Sequence, residues 1–279
     1  MNYLQQRLKE IGITDKQNKI KAINLDKKTQ EYHFFASDEN DNIKINYITP
    51  SGYIEYYESG KKTFPYYRLR YKNPENPKNK YQQTKGTDTI PFSTPGIINS
   101  YKKEEKIKTL YITEGEFKAF SLDNQGLKTI GIGGIHNYKT KGKSQLHPYI
   151  IDYIQKCNVE NIVLLFDADC LKVEWAENKD LTTRLKSFYS ALSTFNEYIK
   201  PFDICLYFAH IKTDSEHKGI DDLLHAIKDK ETVLNELQSL TVNNESRKYI
   251  NTYKISGVSP YLILKIFGFI NFILIYFSI

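Results

Sequence analysis

Residues 109–134 read TLYITEGEFKAFSLDNQGLKTIGIGG: a short apolar run, an acidic turn, a helical stretch, and a second apolar run that ends in glycines. Two more short apolar runs follow later in the chain. The four runs are LYIT (110–113), TIGIG (129–133), IVLLF (162–166) and ICLYF (204–208). Because each run is bounded by polar residues or glycine, the set is typical of parallel strands buried on both faces of a sheet.

Helical patterns separate these predicted strands. They lie near 116–124, 146–157 and 181–199, and another begins near Asp221. Strands and helices that alternate in this way predict an α/β fold, with a doubly wound, mostly parallel four-stranded sheet and flanking helices. We assign this predicted domain to residues 105–230.

The N-terminal part has a different pattern. Residues 3–12 are typical of a short amphipathic helix. The aromatic-rich runs NIKINYI, YIEYYES and YYRLRY, separated by turn signals, predict antiparallel hairpins. Residues 73–100 contain several prolines, which indicates an irregular connection. We therefore expect residues 1–100 to form a smaller, mainly antiparallel, β-rich domain.

Overall composition sets broad limits. The 279 residues are 40% hydrophobic and 26% charged, as in soluble globular proteins, and the net charge of +6 mildly favours polyanionic partners. The cysteines at positions 157, 170 and 205 form no CxxC pair, which argues against a zinc site and against a disulfide framework. The first residues, MNYLQQRLKEIGITDK, lack the apolar core of a signal peptide. We expect a cytoplasmic protein.

Acidic residues follow three of the four predicted strands. They are Glu114 and Glu116 after the first strand, Asp167 and Asp169 after the third, and Asp221 and Asp222 after the fourth. In open α/β sheets, functional residues collect at the carboxyl ends of the strands. Carboxylates gathered at one edge repel one another, and a divalent cation with a preference for hard oxygen ligands relieves that repulsion. The sequence therefore predicts a site for Mg²⁺, which Mn²⁺ would also fit.

The ordered trio of TEGEFKA (113–119), FDAD (166–169) and KGIDDLL (218–224) resembles the Toprim domain of primases, topoisomerases and some nucleases. It is most similar to the primase-type Toprim proteins of phages, plasmids and mobile elements. The likeness covers about 120 of the 279 residues. It implies Mg²⁺-dependent chemistry on nucleic-acid phosphodiesters.

The resemblance also implies roles for individual residues. Glu114 matches the family's glutamate, a general acid or base near the reacting phosphate, and Asp167 and Asp169 match the metal-binding pair. Asp221, with Asp222 beside it and Lys218 before it, matches a late acidic position of the primase branch. It would be a further metal ligand.

Two nearby residues have open roles. Glu116 is either a helix-start carboxylate stabilised by the helix dipole or a direct participant, and Lys118 either faces a phosphate or is an exposed surface lysine. Gly133 and Gly134 either let the backbone approach a phosphate or make a tight turn.

Residues 137–144, NYKTKGKS, end like a P-loop but lack its first glycine, so an ATPase site is not expected.

Basic residues cluster ahead of the predicted sheet. Between positions 61 and 85 there are eight lysines and arginines against a single acid, Glu75, with aromatic residues interleaved. Cations neutralise phosphates and aromatic faces stack on unpaired bases, which suits single-stranded DNA. The residues we select for nucleic-acid binding are Arg68, Arg70, Lys72, Lys78, Lys80, Tyr67 and Tyr71. A solvated hairpin with tyrosines packed on one face is the alternative.

These observations favour a primase that makes short primers on a single-stranded template from nucleoside triphosphates, during replication of a mobile element, with a separate helicase as a further partner. A Toprim nuclease would use the same acids with water as nucleophile, and a non-catalytic DNA-binding module is a third alternative. A topoisomerase is disfavoured because we find no partner domain with a catalytic tyrosine. No zinc-binding module is recognisable, which leaves template recognition unexplained.

After residue 230 we expect a helix and a polar linker (231–258) and an apolar tail (259–279). The run YLILKIFGFINFILIYFSI (261–279) would just span a bilayer core of about 30 Å as a helix. A buried terminal element, or the end of a truncated or frame-shifted chain, fits it as well. We expect no membrane anchor, since a cytoplasmic nucleic-acid enzyme has no evident use for one.

Overall fold

The computed structural model describes residues 1–76, 79–167, 183–212, 215–240 and 247–255. The predictions for Asp169, Lys78 and the apolar tail lie outside the described residues. Among the residues that are described, no helix is both long enough and apolar enough to cross a membrane.

The first part of the chain contains a helix followed by short strands. They are α1 (Tyr3–Glu10), β1 (Lys19–Ile23), β2 (Thr29–His33), β3 (Phe35–Ser37), β4 (Ile43–Asn46), β5 (Tyr56–Ser59), β6 (Lys62–Pro65), β7 (Tyr67–Arg70) and β8 (Tyr81–Gln83). A capping box starts α1: the Asn2 side chain accepts from the Gln5 backbone N–H, and the Gln5 side chain accepts from that of Asn2. The strands pair antiparallel, in a sheet of order β3–β4–β7–β8 and in the hairpins β1–β2 and β5–β6.

The larger sheet and its helices follow. In chain order they are β9 (Phe92–Ser93), α2 (Pro95–Lys103), β10 (Thr109–Glu114), α3 (Glu116–Asn124), β11 (Thr129–Ile132), α4 (Pro148–Lys156), β12 (Asn161–Phe166), α5 (Thr183–Ile199), β13 (Cys205–Ile211), α6 (Ile220–Ala226), α7 (Lys230–Gln238) and β14 (Ile250–Ile255). The sheet has six strands in the order β14–β13–β12–β10–β11–β9. Its four inner strands are parallel, which confirms the predicted α/β class with a mostly parallel sheet.

The structure adds two antiparallel edge strands to the four that we predicted. β14 lies in the segment that we expected to be a polar linker; Ile250, Thr252 and Ile255 are buried while Lys254 is exposed, as a half-covered edge strand requires. The expected irregular connection over 73–100 is also wrong in part, because it contains β8, β9 and the start of α2. Pro95 begins α2 rather than interrupting structure, since its fixed φ suits the first helical position.

Helices cover both faces of the six-stranded sheet. One face packs against α4 and α5, through Tyr153 and Phe195 among others. The other face packs against α3, α6 and α7, through Leu122, Leu223 and Leu237. These two apolar layers hold the inner strands in place, so the carboxyl ends of the strands form one rigid edge.

A third apolar cluster joins the antiparallel strands to α3. The Phe35 ring, fully buried, stacks on Phe117 with ring centroids 4.3 Å apart and an angle of 11°, and meets Phe120 edge-on at 5.3 Å. Phe34 also contacts Phe120, at 5.2 Å. Helix α3 is therefore packed on the parallel sheet through one set of residues and on the N-terminal strands through another.

We predict that Phe35→Ala lowers the free energy of unfolding by about 3–5 kcal/mol, because it leaves a cavity between the N-terminal strands and α3. Phe64→Ala is the matched control, since Phe64 is 39% exposed and stacks on Tyr57 in the β5–β6 hairpin. Urea denaturation of both variants measures the difference. Equal losses in the two variants would show that the Phe35 stack does not hold the two parts together.

Candidate active site

A cavity of about 330 Å³ lies at the carboxyl edge of the parallel sheet. Its charged lining residues are the acids Glu114, Glu116, Asp167, Asp221 and Asp222 and the bases Arg7, Arg68, Arg70, Lys80, Lys118 and Lys218. Gly115, Gly133 and Gly219 line it as well. The described acids that we selected from the sequence thus meet in one cavity, together with cations from the N-terminal strands.

The topology explains why these acids meet. Glu114 is the last residue of β10, Asp167 directly follows β12, and the two strands are parallel neighbours with Thr113 opposite Leu165. Asp221 lies in the first turn of α6, after β13. Gly115 makes the sharp turn from β10 into α3 with a φ of 103°, a conformation that a residue with a Cβ rarely adopts.

Asp167 is paired with a lysine. Lys118 Nζ lies 2.6 Å from Oδ2 of Asp167 and 2.5 Å from Oδ1. Both side chains are partly exposed, at 19% for Lys118 and 20% for Asp167. Lys118 was expected to face a phosphate or to lie on the surface; in the structure it faces the candidate metal ligand.

Glu116 is the most deeply buried acid of the cavity, with 1% of its surface exposed. The Tyr47 hydroxyl donates a hydrogen bond of 2.6 Å to its Oε1, and Arg68 forms an ion pair with the same atom. Burial, and then the neighbouring carboxylate, raise the pKa of Tyr47 well above its usual value. Glu116 is therefore held by residues of the N-terminal strands, which is more than a helix-start carboxylate would need.

Asp221 is paired with the N-terminal helix. Arg7 Nη2 of α1 donates to Asp221 Oδ2 at 2.8 Å, and Asp221 is 3% exposed. Burial acts to lower the pKa of Arg7, but Glu10 and Asp221 outweigh it and raise that pKa above its usual value. The sequence analysis missed Arg7, because no local signal relates a helix near residue 7 to an acid at residue 221.

Two buried carboxylate oxygens of the cavity stand out. Within the described ranges, Glu116 Oε2 and Asp221 Oδ1 have no hydrogen-bond partner. Such atoms are costly to bury unless something satisfies them. Both residues line the same cavity, so a ligand there would find acceptor oxygens already desolvated.

Three of the residues that we selected for nucleic-acid binding line the cavity. Arg68 and Arg70 point into the cavity, and Arg70 is 7% exposed, with Nε donating to Tyr3 Oη and Nη1 to Tyr81 Oη, both at 2.9 Å. Lys80 also lines the cavity; burial and then the charges of Arg70 and Arg7 lower its pKa.

The other described members of that set do not line the cavity. Lys72 forms an ion pair of 2.8 Å with Asp41. Lys44 Nζ lies 4.2 Å from the centre of the Tyr67 ring, and the Tyr71 hydroxyl donates to Gln82.

Glycines keep room for these side chains. A Cβ on Gly133 would lie 2.7 Å from Arg68 Nη1, whereas one on Gly134 would lie 3.2 Å from Asn137 Nδ2. A Cβ on Gly219 would lie 2.5 Å from Asp221 Oδ1. A methyl group at Gly133 or Gly219 would therefore displace the Arg68 guanidinium or the Asp221 carboxylate from its present position.

The carboxylates of the cavity fit a magnesium ion whose remaining ligands are water and substrate phosphates. Glu114, Asp167 and Asp221 supply hard carboxylate oxygens around one cavity. Among the described residues, no group of three His, Cys, Asp or Glu side chains is arranged to hold a metal by itself. Mg²⁺ is commonly held by one or two carboxylates, with water and substrate phosphates as the other ligands.

Comparisons with known proteins give the following. A family described as "Domain of unknown function (DUF3854)" matches residues 100–231. No curated protein matches the chain significantly. Similar solved structures are the DnaG primase catalytic domain bound to ssDNA, the DnaG catalytic core, and a DNA primase domain from Pseudomonas aeruginosa.

Each of these three structures shares 14% sequence identity with this chain, and the TM-scores are 0.44, 0.44 and 0.43. The aligned regions cover 84%, 84% and 85% of this chain and 60%, 59% and 60% of the primase chains. This chain thus spans about 60% of the length of the structures it matches.

We predict that Gly133→Ala destabilises the protein by about 1–3 kcal/mol, because the new methyl group displaces Arg68 from its buried carboxylate partner. Gly134→Ala is the control, since its contact is longer and involves a partly exposed asparagine. Thermal and urea unfolding of both variants compare them. If Gly133→Ala unfolds like Gly134→Ala, the position of Arg68 does not depend on this glycine.

Proposed function

We propose that this protein is a Toprim-type, Mg²⁺-dependent nucleotidyltransferase that synthesises short primers on single-stranded DNA. The observation that supports this most directly is the cavity in which carboxylates that follow β10, β12 and β13 face arginines and a lysine from the first 80 residues. Carboxylates serve a metal, and cations serve phosphates. A site that offers both to one bound molecule suits a nucleoside triphosphate.

In the proposed reaction, Asp167 and Asp169 would hold the metal, and Glu114 and Asp221 would be further ligands or neighbours of it. Bound there, Mg²⁺ would neutralise charge on the triphosphate and on the transition state. The 3′-hydroxyl of the growing strand forms a bond to the α-phosphorus, and the bond from that phosphorus to the leaving pyrophosphate breaks. Glu114, the exposed acid at the end of β10, accepts or positions the hydroxyl proton.

The cations of the cavity bind the rest of the nucleotide. Arg70, Lys80 and Lys218 line it, so they can neutralise phosphate oxygens. Arg68 acts indirectly, because its charge is engaged by Glu116. Mn²⁺ would fit the same oxygen ligands as Mg²⁺.

The proposal extends to the organisation of the chain. Residues 105–230 would form the catalytic domain, and residues 1–100 the nucleic-acid-binding one. The template would pass along the outer surface that carries Lys72 and Tyr71, with Lys78 and Tyr67 as further contacts. Replication of a mobile element in the cytoplasm, with a separate helicase, is the setting that we propose.

We predict that Asp167→Asn abolishes primer synthesis but leaves the fold and most single-stranded DNA affinity intact. The change removes one metal-binding charge and keeps the side-chain shape. The assay combines purified protein, single-stranded DNA, labelled nucleoside triphosphates and Mg²⁺, and separates oligomer synthesis from strand cleavage. Lys106→Ala, at the opposite end of β10, is the control.

Three results of this assay would contradict the proposal. Wild-type turnover by Asp167→Asn would remove this aspartate from the mechanism. Metal-dependent cleavage of the DNA without synthesis would identify a nuclease, and binding without any reaction would identify a DNA-binding module.

We predict that the double variant Lys72→Ala/Lys80→Ala binds single-stranded DNA more weakly and with a smaller salt dependence. Each lost phosphate contact lowers the slope of log affinity against log salt by about 0.7 for single strands. Fluorescence anisotropy between low and moderate salt measures this slope. Lys106→Ala should leave it unchanged, and an unchanged slope in the double variant would instead mean that these lysines belong to a solvated surface.

A further inference from the structure

We propose that Lys118 is a positioning residue that acts as a built-in counter-cation. Its ammonium group is paired with Asp167 until the metal binds, and the side chain then moves so that the ammonium group contacts a phosphate of the nucleotide. The inference rests on the proposed function in taking Asp167 as a metal ligand. It adds an exchange between a protein cation and the metal.

The geometry places the lysine where it competes with a metal ion. Lys118 Nζ contacts both carboxylate oxygens of Asp167, at 2.5 and 2.6 Å. A ligand that approaches either oxygen meets the ammonium group. A carboxylate has lone pairs for a second cation, but a metal ion on either oxygen of Asp167 would be repelled by the nearby ammonium group, so movement of Lys118 favours metal binding.

The same ammonium group is also close to the second buried acid of the cavity. The point that a Cβ on Gly219 would occupy lies 3.5 Å from Lys118 Nζ and 2.5 Å from Asp221 Oδ1. Asp221 Oδ1 has no hydrogen-bond partner within the described residues. Lys118 thus lies beside Asp167 and near Asp221, in the part of the cavity where a shared cation would neutralise both.

Burial distinguishes this pair from the Arg68–Glu116 and Arg7–Asp221 ion pairs of the cavity. Glu116 and Asp221 are 1% and 3% exposed, and separating either from its arginine would leave a desolvated charge without compensation. Asp167 and Lys118 are 20% and 19% exposed, so water reaches both partners when they separate. The Lys118–Asp167 pair is therefore the one that can open at low cost.

After it separates from Asp167, the ammonium group of Lys118 would pair with a phosphate. Lys118 lies in the first turn of α3, whose N-terminus favours anions. A nucleotide that brings its phosphates to a metal on Asp167 also brings them within reach of this side chain. Metal and nucleotide should then strengthen each other's binding, because one movement of Lys118 serves both.

The test is direct titration of the purified protein with Mn²⁺, by calorimetry and by electron paramagnetic resonance, without DNA. Lys118→Met keeps most of the length of the side chain and removes its charge. We expect it to tighten Mn²⁺ binding by about fivefold, the factor that corresponds to one partly exposed ion pair. Lys118→Gln serves as a second variant, and thermal melting checks that both variants fold.

Lys80→Met is the matched control. Lys80 lines the same cavity, and its ammonium group makes no ion pair in the part of the chain that the structure describes. An equal tightening in Lys80→Met would overturn the proposal, because the effect would then come from total charge and not from contact with Asp167.

A second titration measures the coupling. In the wild type, a non-hydrolysable nucleoside triphosphate should raise Mn²⁺ affinity by a larger factor than in Lys118→Met. Unchanged Mn²⁺ affinity in Lys118→Met, with Asp167→Asn still weakening it, would overturn the exchange and leave the proposed function intact. If Asp167→Asn binds Mn²⁺ as the wild type does, the metal assignment of the proposed function fails as well.

Discussion

The buried carboxylate of Glu116 constrains the whole arrangement, because an ionised group that is 1% exposed costs several kcal/mol unless it is paired and hydrogen-bonded. Its partners are Tyr47, which directly follows β4, and Arg68 of β7. These strands must therefore lie over the start of α3. That same turn carries Gly115 and Glu114, so satisfying Glu116 also fixes the position of the exposed acid at the end of β10.

The apolar contacts hold the start of α3 to the same N-terminal part of the chain as this ion pair does. Phe117 follows Glu116 in α3 and stacks on Phe35, and the guanidinium groups of Arg70 and Arg7 lie 5.1 and 5.5 Å from the centre of its ring. Aromatic stacking and cation–π contacts gain strength when they are desolvated, as they are here. The start of α3 is thus held by one phenylalanine and three basic side chains, all from residues before position 71.

The parallel strands could be predicted because each is a continuous apolar run, and burial on both faces leaves that signal in the local sequence. The edge strands were missed. β9 has only two residues, too few for a pattern, whereas β14 carries the alternation typical of a half-buried strand and was assigned to a polar linker instead. The positions of Glu114 and Asp167 relative to the strands followed from the same local signal, and the parallel pairing of β10 and β12 brings the two strand ends together. Their catalytic roles remain predictions.

The cations of the cavity show where sequence reasoning stops. The run YRLRY contains Arg68 and Arg70 at alternate positions, which places both on one face of a strand, but nothing in the run says whether that face meets solvent or another element. The structure turns it toward α3. The pairing of Arg7 with Asp221 joins residues 214 positions apart, and no pattern within either segment specifies it. Such pairs depend on how two sheets pack, which a single sequence does not encode locally.

The balance of charge in the cavity has a consequence for how substrate enters. Its described lining carries five acids and six bases, so the charges nearly cancel, and at least three of the bases are already paired with acids. A nearly neutral cavity attracts neither a bare metal ion nor a bare triphosphate strongly over a distance. In the proposed function, a metal-bound nucleotide would offer both charges together, so it would meet the carboxylates and the basic groups of the cavity in one step. Joint arrival avoids an intermediate in which the cavity holds an excess of either charge, and this favours the complex over its separate components.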